Sequence, residues 1–417
     1  IPDGCHWQEV RERTENLGAA IVGAMRQIEI ANPDTLYGVL SMFSSQKWTN
    51  KAILNDSKIR DLIEHLSKRK LGNKDYPADL MGDAYEILLK KFADDSKAQA
   101  GEFYTPRSVV RLLVHILDPQ PGETVYDPAC GSGGMLIEAI RYMHDDSLCC
   151  GSIFGQEKNV VNAAIAKMNL FLHGASDFNV MQGDTLRDPK ILQGGNIAKF
   201  DCVIANPPFS LENWGATEWS SDKYKRNIYG TPSDSCGDYA WIQHMICSMS
   251  SGKGRMAVVM PQGILFRGNQ EAEIRKQLVE SDLIEAVVTL GDKLFYGTGL
   301  SPCFLIIRRM KQAHHSGRIL MIDGSKILTQ KRAQNILEEN DIDRLYSLYQ
   351  NYSDEEDYSR IVTLQEIRDK EYNLSPNRYV VYHKEEIRPY AEVLAEFKQA
   401  YADVKRLENE FSLLINA

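Results

Sequence analysis

The chain has 417 residues, of which 43% are hydrophobic and 25% charged, the composition of an ordinary globular protein with room for two or three domains. The formal net charge of −9 argues against a protein that coats nucleic acid by itself. If the protein binds DNA, we expect a partner to contribute part of the binding surface. No apolar stretch approaches the roughly 20 residues that a membrane-spanning helix needs.

The cysteine pattern and the start of the chain bear on other classes of protein. Eight cysteines are scattered, and Cys149 and Cys150 form the only close pair. Because no Cys-x-x-Cys or His-Glu-x-x-His spacing occurs, we expect neither a metal site nor a disulfide framework, and we expect a cytoplasmic protein without a membrane anchor. The chain begins at Ile1 without an initiating Met or a signal-peptide pattern, so we expect sequence to be missing upstream.

Residues 14–95 show helical spacing of their apolar residues and no convincing strand. Leu17, Ile21, Met25 and Ile28 recur three or four positions apart, as on one face of a helix. We therefore predict an all-α domain over residues 1–97.

From about residue 101 to residue 325, short apolar runs alternate with amphipathic stretches. Seven runs predict strands, at 124–127, 152–156, 178–182, 200–205, 255–260, 283–290 and 304–308. Four stretches predict helices, at 135–143, 159–173, 239–249 and 270–280. The alternation predicts an α/β domain over 98–383 with a Rossmann-like, doubly wound, mostly parallel seven-stranded sheet. Such sheets bind ligands beyond the carboxyl ends of their strands, where the strand order reverses.

Residues 125–135 combine a strand, a glycine turn and the start of a helix. Gly131, Gly133 and Gly134 allow positive φ and let a ligand lie directly against the backbone. An acid, Glu157, ends the next strand and can accept both hydroxyls of a ribose, as acids do in dinucleotide-binding folds. The turn therefore predicts a nucleoside-binding site.

The charge of this site favours a nucleoside without phosphates. The Walker pattern with its lysine is absent, so nucleotide hydrolysis is not indicated. Asp127 before the turn would attract a cationic ligand, and Asp184 after the third strand can accept a hydrogen bond from an adenine amine. S-adenosylmethionine, which carries a sulfonium and an amino group, fits these acids.

The run 201–205 predicts a buried strand that ends at Asn206, Pro207, Pro208 and Phe209. Two successive prolines remove two backbone donors, so neither helix nor sheet continues there. What remains is a rigid corner that offers an amide side chain, carbonyl acceptors and an aromatic face. That combination suits a flat nitrogen heterocycle with an exocyclic amine.

The last thirty residues are predicted to form one long helix. Its near-heptad apolar stripe consists of Tyr390, Leu394, Phe397, Tyr401, Val404, Leu407, Phe411 and Leu414. Two interpretations stay open: a helix packed on its own domain, or a coiled-coil arm that docks a partner. We assign residues 384–417 to this C-terminal helical arm.

Four segments carry a resemblance to a known family. They are Gly-Glu-Phe-Tyr-Thr-Pro-Arg at 101–107, Asp-Pro-Ala-Cys-Gly-Ser-Gly-Gly at 127–134, Asn-Pro-Pro-Phe at 206–209 and Asn-Leu-Ser-Pro-Asn-Arg-Tyr at 373–379. Together they resemble the methyltransferase (modification) subunit of type I restriction–modification systems. Their order is similar to that in the γ class of DNA amino-methyltransferases, and the likeness extends over roughly residues 15–385.

The resemblance implies a site-specific DNA methyltransferase that moves a methyl group from S-adenosylmethionine to the N6 amine of adenine. Its catalytic residues would be Asn206, Pro207, Pro208 and Phe209. Combined with the acids above, the cofactor contacts would be Glu102, Phe103, Tyr104, Thr105, Pro106, Arg107, Asp127, Gly131, Ser132, Gly133, Gly134, Glu157 and Asp184. The family acts on double-stranded DNA with a specificity subunit, usually two methyltransferase chains to one reader, and with a restriction subunit in the full complex.

The reaction hypothesis starts from a flipped adenine, because a base inside the stack hides its amine. The flipped base would stack on Phe209, while the Asn206 side-chain oxygen and the Pro207 carbonyl accept hydrogen bonds from the amine. These bonds localise the nitrogen lone pair for in-line displacement at the sulfonium methyl group. Cys130 and Cys202 are expected to pack in the buried core rather than to act as nucleophiles.

Other substrates and one non-enzymatic role stay open from the residues alone. An Asn-Pro-Pro corner also suits methylation of the cytosine N4 amine, an RNA base or a protein glutamine. The helical N-terminal region and the segment 101–107 argue against the last two. The alternative from another class is a scaffold that binds the cofactor only to fold or assemble, and the intact Asn-Pro-Pro-Phe argues against it.

Overall fold

A large β-sheet with helices on both faces forms the main body of the protein in this computed structural model. The structure describes residues 1–36, 38–40, 46–69, 80, 82, 84, 85, 87, 88, 105–143, 151–175, 177–295, 300–332, 334–383 and 390–415. They fall into two units, residues 1–380 and residues 381–417. The first unit contains the sheet, and each unit is described by itself.

All seven predicted strands are present, and each bound lies within two residues of its predicted position. They are β1 (Val125–Asp127), β2 (Ile153–Glu157), β3 (Phe178–Gln182), β6 (Cys202–Ala205), β7 (Arg255–Pro261), β8 (Ile284–Leu290) and β9 (Pro302–Arg308). A short hairpin of β4 (Leu192–Gln193) and β5 (Asn196–Ile197) is separate from this sheet. The α/β class is therefore confirmed.

The sheet has nine strands rather than the predicted seven. The additional strands, β10 (Arg318–Gly324) and β11 (Ser359–Thr363), extend one side of it. β10 pairs parallel with β8, and β11 pairs antiparallel with β10 at the edge. The apolar run of β10 is too short to distinguish strand from helix by periodicity, and the half-buried β11 lacks an apolar run. Their pairing with distant strands decides their conformation.

The strands lie in the order β11-β10-β8-β9-β7-β6-β1-β2-β3. β1, β2 and β3 are parallel neighbours, and β6 and β7 continue the parallel run on the other side of β1. β9 is antiparallel to both β7 and β8. The chain thus adds β2 and β3 on one side of β1 and then crosses over to add β6 and β7 on the other side. The carboxyl ends of β1 and β6 meet at this reversal, where sheets of this kind bind ligands.

Helices cover both faces of the sheet, so the fold is doubly wound. Among its described residues, the first unit includes the helices α1 (Trp7–Arg11), α2 (Leu17–Ala31), α3 (Pro33–Leu36), α4 (Gln46–Thr49), α5 (Asp56–Leu66), α6 (Arg107–Leu117), α7 (Gly134–Met143), α8 (Val160–Leu172), α9 (Ala216–Ser220), α10 (Asp238–Ser248), α11 (Asn269–Glu280), α12 (Glu339–Asn351) and α13 (Leu364–Asp369). One apolar cluster joins α6, α7 and α12 to the sheet, and another joins α10 and α11 to it. β7 and β8 are buried at every position, as strands covered on both faces are.

The described elements before residue 105 are all helices. Leu17 of α2 packs against Ile59 and Ile63 of α5 in a small apolar cluster. Residue 97, the predicted end of the helical domain, lies outside the described residues. The division into 1–97, 98–383 and 384–417 therefore stays a prediction.

The second unit contains one long helix, α14 (Tyr390–Ile415). Its exposed apolar side chains include Tyr390, Val393, Phe397, Tyr401, Val404, Leu407 and Phe411. Among the helices that the structure describes, none is both long and apolar enough to cross a membrane.

Candidate active site

The glycine turn joins the end of β1 to the start of α7. Gly131 and Gly133 have φ of +53° and +83°, in the left-handed region that favours glycine. A Cβ at Gly133 would lie 3.4 Å from Ala166 of α8, so the turn also packs closely on a neighbouring helix. The Ser132 carbonyl accepts a hydrogen bond of 3.1 Å from the Asn169 side chain. The predicted turn is present, and its backbone is positioned by contacts with α8.

Glu157 reaches this turn from the end of β2, as the sequence predicted. Its Oε2 accepts a 3.0 Å hydrogen bond from the Gly131 amide, and its Oε1 accepts one of 2.7 Å from the Asn159 amide. Burial raises the pKa of Glu157 above its ordinary value. A carboxylate between the second strand and the glycine turn is therefore in place for a polar ligand.

Asp127 is the last residue of β1 and is only 2% exposed. Its Oδ1 accepts a 2.9 Å hydrogen bond from the Ala129 amide. Burial, together with the nearby Glu157 carboxylate, raises the pKa of Asp127 to about 8. At neutral pH this side chain is mostly protonated, because ionising it without a cation beside it is costly.

Asp184 follows β3 and caps a turn. Its Oδ1 accepts hydrogen bonds of 3.2 Å from the Leu186 and Arg187 amides. Its Oδ2 pairs with the Lys158 ammonium at 2.9 Å, and that lysine is exposed. Both carboxylate oxygens thus have partners within the chain, so a contact with an adenine amine would share or displace one of them.

Asn206 lies one residue beyond β6, next to β1 at the switch point of the sheet. Its Nδ2 donates a 2.8 Å hydrogen bond to Thr105 Oγ1. Its Oδ1 is buried and has no hydrogen-bond partner within the described part of the chain. A buried acceptor without a donor is costly, and an incoming N–H group would satisfy it. The amide is therefore arranged to receive a donor from a ligand.

Phe209 ends the corner with a half-buried ring, and Pro207 before it is buried. The Phe209 ring centre lies 6.2 Å from that of Phe295, with the planes tilted by 56°. Phe295 follows β8 at the same sheet edge and was missed from the sequence. An aromatic after a predicted strand is the signal that points to it, but the strand order was needed to place it beside Phe209.

The turn after Phe209 is held by a partly buried ion pair between Asp238 and Arg267 that the sequence also did not reveal. Ser210, at φ +51°, donates its amide to Asp238 Oδ1 at 2.7 Å. The same carboxylate accepts from Arg267 Nη1 at 2.7 Å, and Arg267 Nη2 lies 3.2 Å from Ser210 Oγ. Cys236, Asp238 and Glu271 also offer a set of possible metal ligands, but the Arg267 guanidinium occupies the space among them.

The segment 102–107 is described only in part. Glu102, Phe103 and Tyr104 lie outside the described residues. Thr105 contacts Asn206, Pro106 caps α6, and Arg107 is the first residue of that helix. The described half of this segment thus reaches the amide corner.

Neither cysteine near the site is built as a nucleophile. Cys130 and Cys202 are both buried, as expected from the sequence. Burial raises the pKa of both thiols, so the reactive thiolate is disfavoured.

The doubly wound sheet, the glycine turn and the Asn-Pro-Pro-Phe corner at the switch point define a Rossmann-like methyltransferase. The N-6 DNA methylase family matches residues 76–387. The MjaVII methylase subunit of a type I restriction enzyme from Methanocaldococcus jannaschii is 35% identical over 97% of this chain and 70% of its own length. The corresponding HindI subunit from Haemophilus influenzae is 31% identical over 91% of this chain and 84% of its own.

A solved structure agrees with these sequence matches. The type I restriction–modification methyltransferase subunit from Streptococcus thermophilus superposes with a TM-score of 0.78 at 28% identity, over 91% of this chain and 81% of that one. The chain belongs to the N-6 DNA methylase family, among the methylase subunits of type I restriction enzymes.

Proposed function

We propose that this chain transfers a methyl group from S-adenosyl-L-methionine to the N6 amine of an adenine flipped out of double-stranded DNA, with the Asn-Pro-Pro-Phe corner as the base-binding site. The observation that carries the proposal is the buried Asn206 Oδ1, which lacks a donor within the described residues. An exocyclic amine supplies such a donor. Family membership favours adenine over cytosine, RNA and protein acceptors.

The residues around the glycine turn fit the proposed cofactor. S-adenosyl-L-methionine, when bound, supplies an electrophilic sulfonium methyl group. Asp127 would face its cationic part, and Glu157 its ribose hydroxyls. Gly131, Ser132, Gly133 and Gly134 would lie against it, with Asp184 and the segment 102–107 completing the contacts.

The corner would hold the base and polarise its amine. Phe209 would supply a stacking face, and its ring contacts that of Phe295. The Asn206 side-chain oxygen and the Pro207 carbonyl would each accept a hydrogen bond from one amine N–H, which draws the nitrogen lone pair out of conjugation with the ring. No strong base is required, because the acceptors position and polarise the nucleophile.

We further propose that sequence choice comes from a specificity subunit, with two methyltransferase chains per reader and a restriction subunit in the full complex. The net charge of −9 supports shared DNA binding. The exposed apolar side chains of α14 support a helical docking arm. The expected cytoplasmic location stays a prediction.

The experiment that tests this function measures transfer of labelled methyl groups to unmethylated DNA, with and without the specificity subunit encoded beside this chain. Methyladenine formed only with the partner is the expected result. Methyladenine formed by the chain alone would contradict its proposed dependence on a specificity subunit. Methylcytosine, or methylated RNA or protein in place of DNA, would overturn the substrate assignment.

Phe209→Ala should weaken capture of the target adenine by about 1–3 kcal/mol, because the base loses its stacking face. Phe209→Trp should retain most of the affinity. The measurement is the fluorescence of 2-aminopurine at the target position, which reports unstacking, together with KM for DNA. Phe171→Ala on α8 removes another partly exposed ring and is the matched control. Equal capture by wild type and Phe209→Ala would contradict the stacking role.

Cofactor binding should release about one proton near pH 7, because Asp127 must ionise beside the cation. The pKa of its carboxyl is about 8 in the free protein, so affinity should rise with pH below that value, by up to about tenfold per pH unit. Calorimetry in two buffers of different ionisation enthalpy counts the proton. In Asp127→Asn the release should disappear, and its persistence there would exclude Asp127 as the source.

Thr105→Val should lower kcat about tenfold, because Asn206 loses the hydrogen bond that holds its amide. Thr105→Ser keeps the hydroxyl and should remain close to wild type. Single-turnover rates and cofactor affinity are measured for both variants. A fall in cofactor affinity without a change in rate would leave Thr105 only its cofactor contact and would contradict its role in holding Asn206.

A further inference from the structure

The backbone directly after the proposed stacking ring has an unusual conformation for its residue type. Ser210 follows Phe209 and has φ +51°, a left-handed conformation that non-glycine residues adopt at a cost. Its amide is bound by the Asp238 carboxylate at 2.7 Å, a strong charge-assisted contact. The backbone directly after Phe209 is therefore held by a residue 28 positions further along the chain.

Asp238 is fully buried and is the first residue of α10. A carboxylate in that place persists only when its charge is compensated. Arg267 compensates it directly at 2.7 Å, and the start of a helix favours a negative side chain. One oxygen thus binds the Ser210 amide, while the other is held by Arg267.

Arg267 ties the same turn from a second direction. It lies in the loop after β7, the strand that neighbours β6 in the sheet. Its Nη2 reaches Ser210 Oγ at 3.2 Å, and its own carbonyl accepts a 2.8 Å hydrogen bond from Arg275. Cys236 and Glu271 flank the guanidinium at 3.0 and 3.4 Å. The Arg267 guanidinium is therefore held by several partners besides the turn at Ser210.

We infer that Asp238 and Arg267 are positioning residues for methyl transfer: together they lock the turn at Ser210 and thereby hold the Phe209 ring ready for the flipped adenine. Neither residue contacts the reacting atoms. Their contribution is to orient the stacking face in advance, so that capture of the base does not have to order it. The inference rests on the proposed role of Phe209.

A double-mutant cycle tests this coupling in the complex with the specificity subunit. Asp238→Asn, Phe209→Ala and the double variant are compared by kcat/KM for DNA, 2-aminopurine fluorescence at the target position, and cofactor affinity. Asp238→Asn should lower kcat/KM about tenfold and reduce the 2-aminopurine signal, with cofactor affinity within about twofold of wild type. In the Phe209→Ala background the same change should cost less than about threefold, because the ring that it orients is gone.

A second variant keeps the test decisive when Asp238→Asn destabilises the fold. Arg267→Lys retains a positive charge beside Asp238 but lacks the fork that also reaches Ser210. It should reproduce the loss of kcat/KM and its dependence on Phe209, with melting temperature and cofactor affinity near wild type. Arg368→Lys is the matched control, because it makes the same substitution in an exposed ion pair with Glu280. It should leave kcat/KM unchanged.

The outcomes separate the inference from the proposed function. Equal losses with and without the Phe209 ring would show that Asp238 and Arg267 only maintain the fold, and would overturn the inference. A wild-type complex that methylates no adenine would overturn the proposed function, whatever the variants do. A loss of cofactor affinity in folded Arg267→Lys would also contradict the inference, because the pair is assigned to the base.

Discussion

Asn206→Ala should lower the rate of adenine methylation by about 100-fold to 1,000-fold while cofactor affinity stays near wild type. The Asn206 side-chain oxygen is buried without a donor in the described residues, and the amide nitrogen is held by Thr105. The truncation removes an acceptor aimed at the reacting amine, and loss of one such preorganised group costs about 100-fold to 1,000-fold in rate.

The measurement combines single-turnover methyl transfer with calorimetry of cofactor binding. Asn179→Ala makes the same change on the exposed face of β3, away from the corner, and should leave both quantities unchanged. Substantial turnover by Asn206→Ala would remove this residue from the mechanism. Loss of cofactor binding together with activity would instead indicate that the corner supports the glycine turn.

Arg255→Met should lower the free energy of unfolding by about 3–5 kcal/mol, because it removes the bidentate partner of a buried carboxylate and leaves it, among the described residues, only the exposed Lys253 ammonium at 3.3 Å as a cationic partner. Arg255 and Glu123 are 7% and 6% exposed and form a bidentate pair at 3.1 and 2.7 Å. The Arg255 guanidinium also donates to the carbonyls of Leu117, at 2.7 Å, and of Asp118, which ties the end of α6 to the start of β7. Urea and thermal unfolding measure the loss.

Acid unfolding provides a second readout of the same pair. Burial would raise the pKa of Glu123, but hydrogen bonds from Arg255 and from the Gln120 amide outweigh it and lower the pKa to about 2. Because this folded-state pKa lies below the ordinary value of 4.5, the contribution is present above pH 4.5 and is lost as the pH falls towards 2. On acidification the wild type should lose this contribution to its free energy of unfolding, whereas Arg255→Met should not. Arg368→Met, at an exposed pair, is the control and should change stability little.

The local backbone features of the candidate site could be predicted from short stretches of sequence. Glycines permit the turn after β1, and Pro207 and Pro208 stop the strand before them, because both effects act on the local backbone. The seven predicted strands are confirmed, and two of the longest among them, β7 and β8, are segments covered on both faces. Alternation of strands and helices then placed Asp127 and Asn206 at one edge of a parallel sheet.

The tertiary structure alone decided how that corner is held. Thr105 meets Asn206 across 101 positions of sequence, and Asp238 and Arg267 join Ser210 from two other elements. Neither pairing follows from periodicity, because each depends on which strands become neighbours.

The same dependence explains the remaining differences from the sequence prediction. β10 and β11 become strands by pairing at the side of a sheet that already exists. Asp184 shares its carboxylate with Lys158, and Asp127 acquires its raised pKa from burial. A sequence determines which groups a site can contain, whereas packing between distant segments determines their partners, their burial and therefore their charge.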